Sequence, residues 1–225
     1  MPTNVLIVYY SAYGHIHRMA QSVVEGAQSV ADTDVRLRRV AELAEAQGAL
    51  SKKPAYVEAQ EAQKNVPIAT QDDLRWADGF CWGVPTRFGN MPAQIKQFID
   101  TLGGMWTRGE LEDKPAGIFT STATIHGGQE TTIITSAIPL MHLGMIIVGT
   151  PYGQNPQIMV TDGIGSSPYG PGTLAGPDGS RQPVEPELTT ARNLGSRIAK
   201  VAAALKPLRG STPHGQQGSP PTYKS

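Results

Sequence analysis

The sequence predicts a doubly wound α/β protein, a five-stranded parallel sheet with helices on both faces. Three observations predict it. Short, unbroken apolar runs recur along the chain, the pattern of strands covered on both faces. Between them stand segments whose apolar residues repeat at helical spacing. Three of the runs end in loops rich in Gly, Ser, Thr and Asn.

Each element follows in order. Residues 4–10 (Asn-Val-Leu-Ile-Val-Tyr-Tyr) form the first run, and a tight loop at 11–15 follows. Ile16, Met19, Ala20, Val23, Val24, Ala27 and Val30 then mark one helical stripe, which completes the opening of a βαβ unit. Residues 35–40 alternate and suit an edge strand, whereas 41–69, rich in Ala, Gln, Glu and Lys, read as a partly helical surface excursion. Residues 78–84 are a second buried strand, followed by the loop 85–91. Pro92 is placed at the first position of a helix carrying Ile95, Phe98, Ile99 and Leu102. The third buried strand is 115–122; beyond its loop a helix runs from Gln129 to His142, with Pro139 expected to kink the last turn. Residues 145–148 supply another strand. Residues 149–183 hold eight glycines and six prolines without helical period, the mark of a functional or disordered loop. Leu188, Ala191, Leu194, Ile198, Val201, Ala202 and Leu205 define a closing helix. Residues 1–206 are thus expected to form one domain, with 207–225 a disordered tail.

With 225 residues, 39% of them hydrophobic, the chain can bury a core without staples. Its single cysteine, Cys81, excludes a disulfide framework and a Cys-rich metal module. Lys+Arg and Asp+Glu are 19 each, so the basic footprint of a nucleic-acid or anionic-membrane binder is missing. Lys52, Lys53, Arg36, Arg38 and Arg39 read as solvated surface. No basic leader opens the chain, and no apolar run approaches the ~20 residues of a membrane span. The expectation is a soluble, cytoplasmic protein with no nucleic-acid partner and no integral membrane segment.

In open parallel sheets, ligands bind beyond the carboxyl ends of the strands, where strand order reverses. Three loops leave those ends. The first opens straight into a helix, so its amides and the positive helix end converge on an anion, with Ser11 and Tyr13 adding hydroxyls and Gly14 allowing close approach. Alone, Ser11 would read as a helix cap; three such loops at one edge favour a ligand. The second loop adds Arg87 and Phe88, a cation and a flat surface suited to a planar ring with polar edges. The third offers Ser121, Thr122, Thr124, Gly127 and Gly128. No Walker pattern, Gly-x-Gly-x-x-Gly or Gly-x-Ser-x-Gly is present, which disfavours ATPases, ordinary dinucleotide binders and serine hydrolases. The five histidines lack metal-ligand spacing, so no metal is expected. Cys81 reads as an inert buried thiol and Trp76 and Trp82 as packing, whereas Trp106, after Gly103-Gly104 and at a loop end, is more open to a functional reading.

Five segments carry a resemblance: Val8-Tyr-Tyr-Ser-Ala-Tyr-Gly-His15, Pro85-Thr-Arg-Phe-Gly-Asn-Met91, Gly103-Gly-Met-Trp106, His126-Gly-Gly-Gln-Glu130 and Tyr169-Gly-Pro-Gly-Thr-Leu-Ala-Gly-Pro-Asp-Gly-Ser-Arg-Gln-Pro183. In this order they resemble the WrbA family of flavodoxin-like NAD(P)H:quinone oxidoreductases, over residues 4–205. The excursion near 41–66 and the tail lie outside the match. The resemblance implies FMN as cofactor, NADH or NADPH as electron donor, a quinone as acceptor, and a homotetramer. It implies that Ser11, Ala12, Tyr13, Gly14, His15 and Ile16 hold the FMN phosphate. Pro85, Thr86, Arg87, Phe88 and Gly89 fall in the isoalloxazine region, and Ser121, Thr122, Ala123, Thr124, Gly127 and Gly128 at the ring's other edge. His142, Trp106 and Tyr152 match positions lining the flavin's open face, where nicotinamide and quinone bind in turn; Tyr13 matches a position associated with NAD(P)H. The third loop departs from glycine-richer relatives at Ala123 and Ile125, and Pro139 stands close to His142. Two other classes stay open at this point: a flavodoxin-type electron carrier, against which a zero net charge weighs, and a regulatory binding protein, which no basic or helix-turn-helix feature supports.

Overall fold

The computed structural model describes residues 1–209. The sheet runs β2 (Thr33–Arg39), β1 (Thr3–Tyr9), β3 (Gly79–Pro85), β4 (Pro115–Thr122), β5 (Ile146–Ile147), and every pair is parallel. Strand order therefore reverses between β1 and β3, the switch point at which doubly wound sheets open a crevice. These are the expected five strands, and a short sixth joins them. β5 covers only Pro115 and Ala116, and the short β6 (Gly172–Leu174) pairs with Thr120–Thr122 farther along the same edge. The chain leaves the sheet after β5 and returns where Thr120 N donates to Pro171 O at 2.9 Å. The long Gly/Pro segment is thus an ordered edge insertion that carries a strand.

The alternation along β1 sorts the core into two layers. Leu6 and Val8 face one side with Trp82 and Ile118, under α5 (Ala93–Asp100) and α7 (Gln129–His142). Val5, Ile7 and Tyr9 face the other with Cys81 and Phe119, under α1 (His15–Gln28) and α8 (Glu185–Arg209). Helices α1 and α8 cross at bare backbone: a Cβ on Gly26 would lie 1.8 Å from Arg192 O, and one on Gly195 would lie 2.0 Å from Val23 O. Pro92 caps α5 from the position before its first turn, one residue earlier than expected. The helix through Pro139 runs unbroken to His142.

The excursion holds α2 (Ala44–Leu50) and α3 (Pro54–Ala62), and a further helix, α4 (Gln71–Trp76), follows it. Thr70 and Asp73 close a reciprocal capping box on α4. Asp73 also receives Arg36 at 3.2 Å and Arg38 at 3.0 Å, and Arg36 lies 4.0 Å over the Trp76 ring. Those two arginines are therefore paired structural cations on β2, not free solvated surface. Trp106 stands on a short helix, α6 (Gly103–Thr107), and not at a loop end. The closing helix continues past 206, because Lys206 and Arg209 both pair with Asp78, each at 2.6 Å, and draw its last turn onto the start of β3. The rest of the expected tail, 210–225, lies outside the described residues.

Candidate functional site

The loop between β1 and α1 is built around Ser11 and Gly14. Gly14 caps α1 at φ 91°, a conformation open to glycine at little cost. Ser11 Oγ accepts from the amides of Gly14 at 3.1 Å and His17 at 3.3 Å. The amides of His15 and Ile16, in the first turn of α1, have no acceptor among the described residues, so this helix end is free to meet an anion.

This loop forms one wall of a cavity of about 880 Å³ at the carboxyl edge of the sheet. All six residues 11–16 line it, together with Pro85, Thr86 and Arg87 from the second loop and Ser121, Thr122 and Ala123 from the third. The loops are tied to each other. Thr86 N donates to Ser121 O at 3.0 Å, and Thr86 Oγ1 shares a 2.8 Å hydrogen bond with Thr132 Oγ1 on α7. A tight turn closes the second loop, with Arg87 N and Asn90 N bonded to each other's carbonyls at 2.8 and 3.1 Å. At its tip, Phe88 adopts φ 54° and is fully exposed.

Two further walls complete the cavity, one from the excursion and one from the long Gly/Pro segment. Ala55, Ala59 and Ala62 of α3 line the cavity beside Glu58, so the excursion belongs to the site. Small residues at this spacing, after a proline at the first helical position, were the signal available in the sequence. Residues 175–179 and Gln182 close the opposite side. That segment is anchored by Glu187, fully buried on α8, which accepts from Gly165 N (2.8 Å), Thr173 Oγ1 (2.7 Å), Val184 N (3.0 Å) and Arg181 Nη2 (3.0 Å). Arg181 O in turn receives His15 Nε2 at 3.0 Å, which joins the segment to the first loop. Burial holds the His15 imidazole below its ordinary pKa, against the opposing pull of the Arg181 and Gly179 carbonyls.

The remaining predicted residues stand apart. Trp106 and His142 line a second, mainly apolar groove of about 780 Å³ with Asn90, Met91, Ile138 and Pro139. Tyr152 lies half-exposed on a single turn of 3₁₀ helix and lines neither space. Phe88, Gly89, Thr124, Gly127 and Gly128, from the second and third loops, do not line the three-loop cavity. Within one chain, then, the phosphate-type loop and the Trp106–His142 pair occupy separate concavities.

Comparison with known proteins settles the kinship. The chain matches the NADPH-dependent FMN reductase family over residues 4–157. It is 50% identical to a protein named NAD(P)H dehydrogenase (quinone) from Geobacter sulfurreducens, covering 90% of this chain and 98% of the relative. The chain belongs to the WrbA family of NAD(P)H:quinone oxidoreductases. The relative of the same name from Aromatoleum aromaticum is 47% identical over 90% of this chain and 97% of its own length. Among solved structures, the flavodoxin, WrbA-like protein from Agrobacterium tumefaciens superposes with TM-score 0.63 at 25% identity, covering 90% of this chain and 98% of that one. A flavodoxin from the domain Archaea, at 16% identity and TM-score 0.56 over 89% of this chain and 99% of that one, shares the fold.

The cavity fits the FMN that a WrbA-type, flavodoxin-like chain is built to hold. Its volume suits a ligand of that size. Its lining combines unpartnered amides and a helix end with the Thr86–Arg87 and Ser121–Ala123 segments. Arg18 and Arg87 are balanced by Glu58 and Asp178 in the lining, which leaves the free amides and the helix end as its unopposed positive feature. Among the described residues, no helix is long and apolar enough to cross a membrane.

Proposed function

We propose that this chain reduces quinones with NAD(P)H, using FMN held in the three-loop cavity of a single domain. The carrying observation is the first loop, with Ser11 Oγ folding the turn while the amides at the head of α1 are left for an anion. Bound there, FMN supplies a two-electron carrier between nicotinamide and quinone. Residues 11–16 bind its phosphate, while Thr86, Arg87, Ser121 and Thr122 meet the ring's polar edges. Trp106 and Phe88 offer flat walls to nicotinamide and quinone, which use one place in turn. His142 donates a hydrogen bond or proton to the quinone oxygen on which negative charge develops.

A homotetramer is part of this reading. Helix α7 buries Ile133, Ala137 and Leu140 yet exposes Ile134, Ile138 and Met141, a second apolar stripe one residue round the helix. That stripe adjoins the groove holding Trp106 and His142, where a second copy would cover apolar surface and bring the pair against a neighbour's three-loop cavity. Cytoplasmic residence belongs to the same reading. Initial rates with NADH and a simple benzoquinone test the function. FMN-dependent turnover with parallel double-reciprocal lines is expected; no turnover removes the enzyme, and intersecting lines remove the shared place. Light scattering reads the assembly, and a fully active monomer would overturn the tetramer.

A further inference from the structure

Two glutamines from the excursion grip the loop that meets the phosphate. Gln60, on α3, and Gln63, the residue that ends it, both donate through Nε2 to the carbonyl oxygen of Ser11, at 3.0 and 2.8 Å. Gln60 Nε2 also lies 3.4 Å from Ala12 O. Gln63 is buried, with 1% of its surface accessible, so its amide has no competing solvent. Together the two donors occupy both lone pairs of one carbonyl.

A trans peptide unit points its N–H opposite to its C=O. Holding the Ser11 and Ala12 carbonyls against α3 therefore turns the amides of Ala12 and Tyr13 away from it. Neither amide has an acceptor among the described residues, although both residues line the cavity. Within the loop, Ser11 Oγ holds the amides of Gly14 and His17 but not these two, and the glutamines hold their peptide units from outside it. We propose that Gln60 and Gln63 are positioning residues for the phosphate of the bound cofactor. They fix two donor amides of the loop without touching the ligand. The proposal rests on the FMN reading above, and none of the five family-like motifs reaches this segment.

The test is a titration of apoprotein with FMN and with riboflavin, which lacks the phosphate. Gln60→Met with Gln63→Met keeps chain length and bulk but removes both donors. FMN affinity should fall roughly tenfold, the worth of one good charge-assisted hydrogen bond. Riboflavin affinity should stay within about twofold of the parent's. Should the double variant fold poorly, Gln60→Met alone leaves the shorter bond in place and should cost about threefold, again for FMN only. Undiminished FMN affinity overturns the proposal, as does an equal loss for both flavins, since that marks general damage to the cavity. If the parent itself binds FMN and riboflavin equally, the FMN reading falls and the proposal with it. A parent that discriminates beside a variant that discriminates as well overturns the proposal alone.

Discussion

Replacing Glu187 with alanine probes how the edge insertion supports the site. Its carboxylate is fully buried and accepts from three backbone amides (Gly165, Leu174 and Val184), a threonine hydroxyl and the Arg181 guanidinium. Truncation leaves those donors unpaired and strands a cation. Breaking a buried ion pair typically costs about 3–5 kcal/mol. Arg181 retains 29% exposure and can recruit water, so the lower end, about 3 kcal/mol, applies. For a chain of this size each kcal/mol moves the midpoint by about 2–4 °C, so thermal unfolding of the apoprotein should shift down by about 6–12 °C. FMN should bind more weakly as well, because residues 175–179 and Gln182 wall the cavity. Glu187→Gln keeps the volume and one acceptor and should fall between parent and alanine variant. Circular dichroism melting and a flavin titration measure both effects. A midpoint within 2 °C of the parent's would refute the argument that this carboxylate holds the insertion, on the scale of about 2–4 °C per kcal/mol.

Three further outcomes follow from the same geometry. Gly14→Val should lower FMN affinity by about five- to 150-fold, through about 1–3 kcal/mol of strain at φ 91°; a Cβ there meets only Ala59 Cβ at 3.8 Å, so a clash is not the cause. Cys81→Ser should leave flavin content unchanged, and equal losses in the two variants would dissociate the loop from the cofactor. Burial holds both His15 and His17 below the ordinary 6.5, so below that pH the unfolded chain takes up protons that the native rings refuse. Stability should therefore fall from pH 7 to pH 5, and His17→Phe, which can keep the stack on Tyr9, should flatten that slope; an unaltered slope contradicts the assignment. His142→Ala should slow quinone reduction well beyond tenfold with FMN retained, since a positioned acid contributes about 10²–10⁴ in rate, and unchanged turnover would return His142 to packing.

Much of the fold was legible because its signals are local. β1 is continuously apolar, α1 and α7 carry helical stripes, and the glycine-bearing loops stand where strands give way to helices. The capping box at Thr70–Asp73 is equally local, a Thr-x-x-Asp pattern immediately before α4. Other features needed tertiary pairing to appear. β6 is three residues whose partners on β4 lie some fifty positions earlier, so no periodicity announces it. Gln60, Gln63 and Glu187 are ordinary polar residues in helix-rich sequence, and only the folded chain reveals that their targets are Ser11 O and the Arg181 segment. The separation of Trp106 and His142 from the three-loop cavity is likewise a property of the folded protomer.

The central claim is that the loop at the head of α1 holds the phosphate of FMN. Fluorescence titration of the apoprotein with FMN and riboflavin measures it directly. One tight FMN site per chain is expected, with riboflavin binding at least tenfold weaker, from phosphate bonds of about 1.5–3 kcal/mol each. Equal affinity for the two flavins would contradict it.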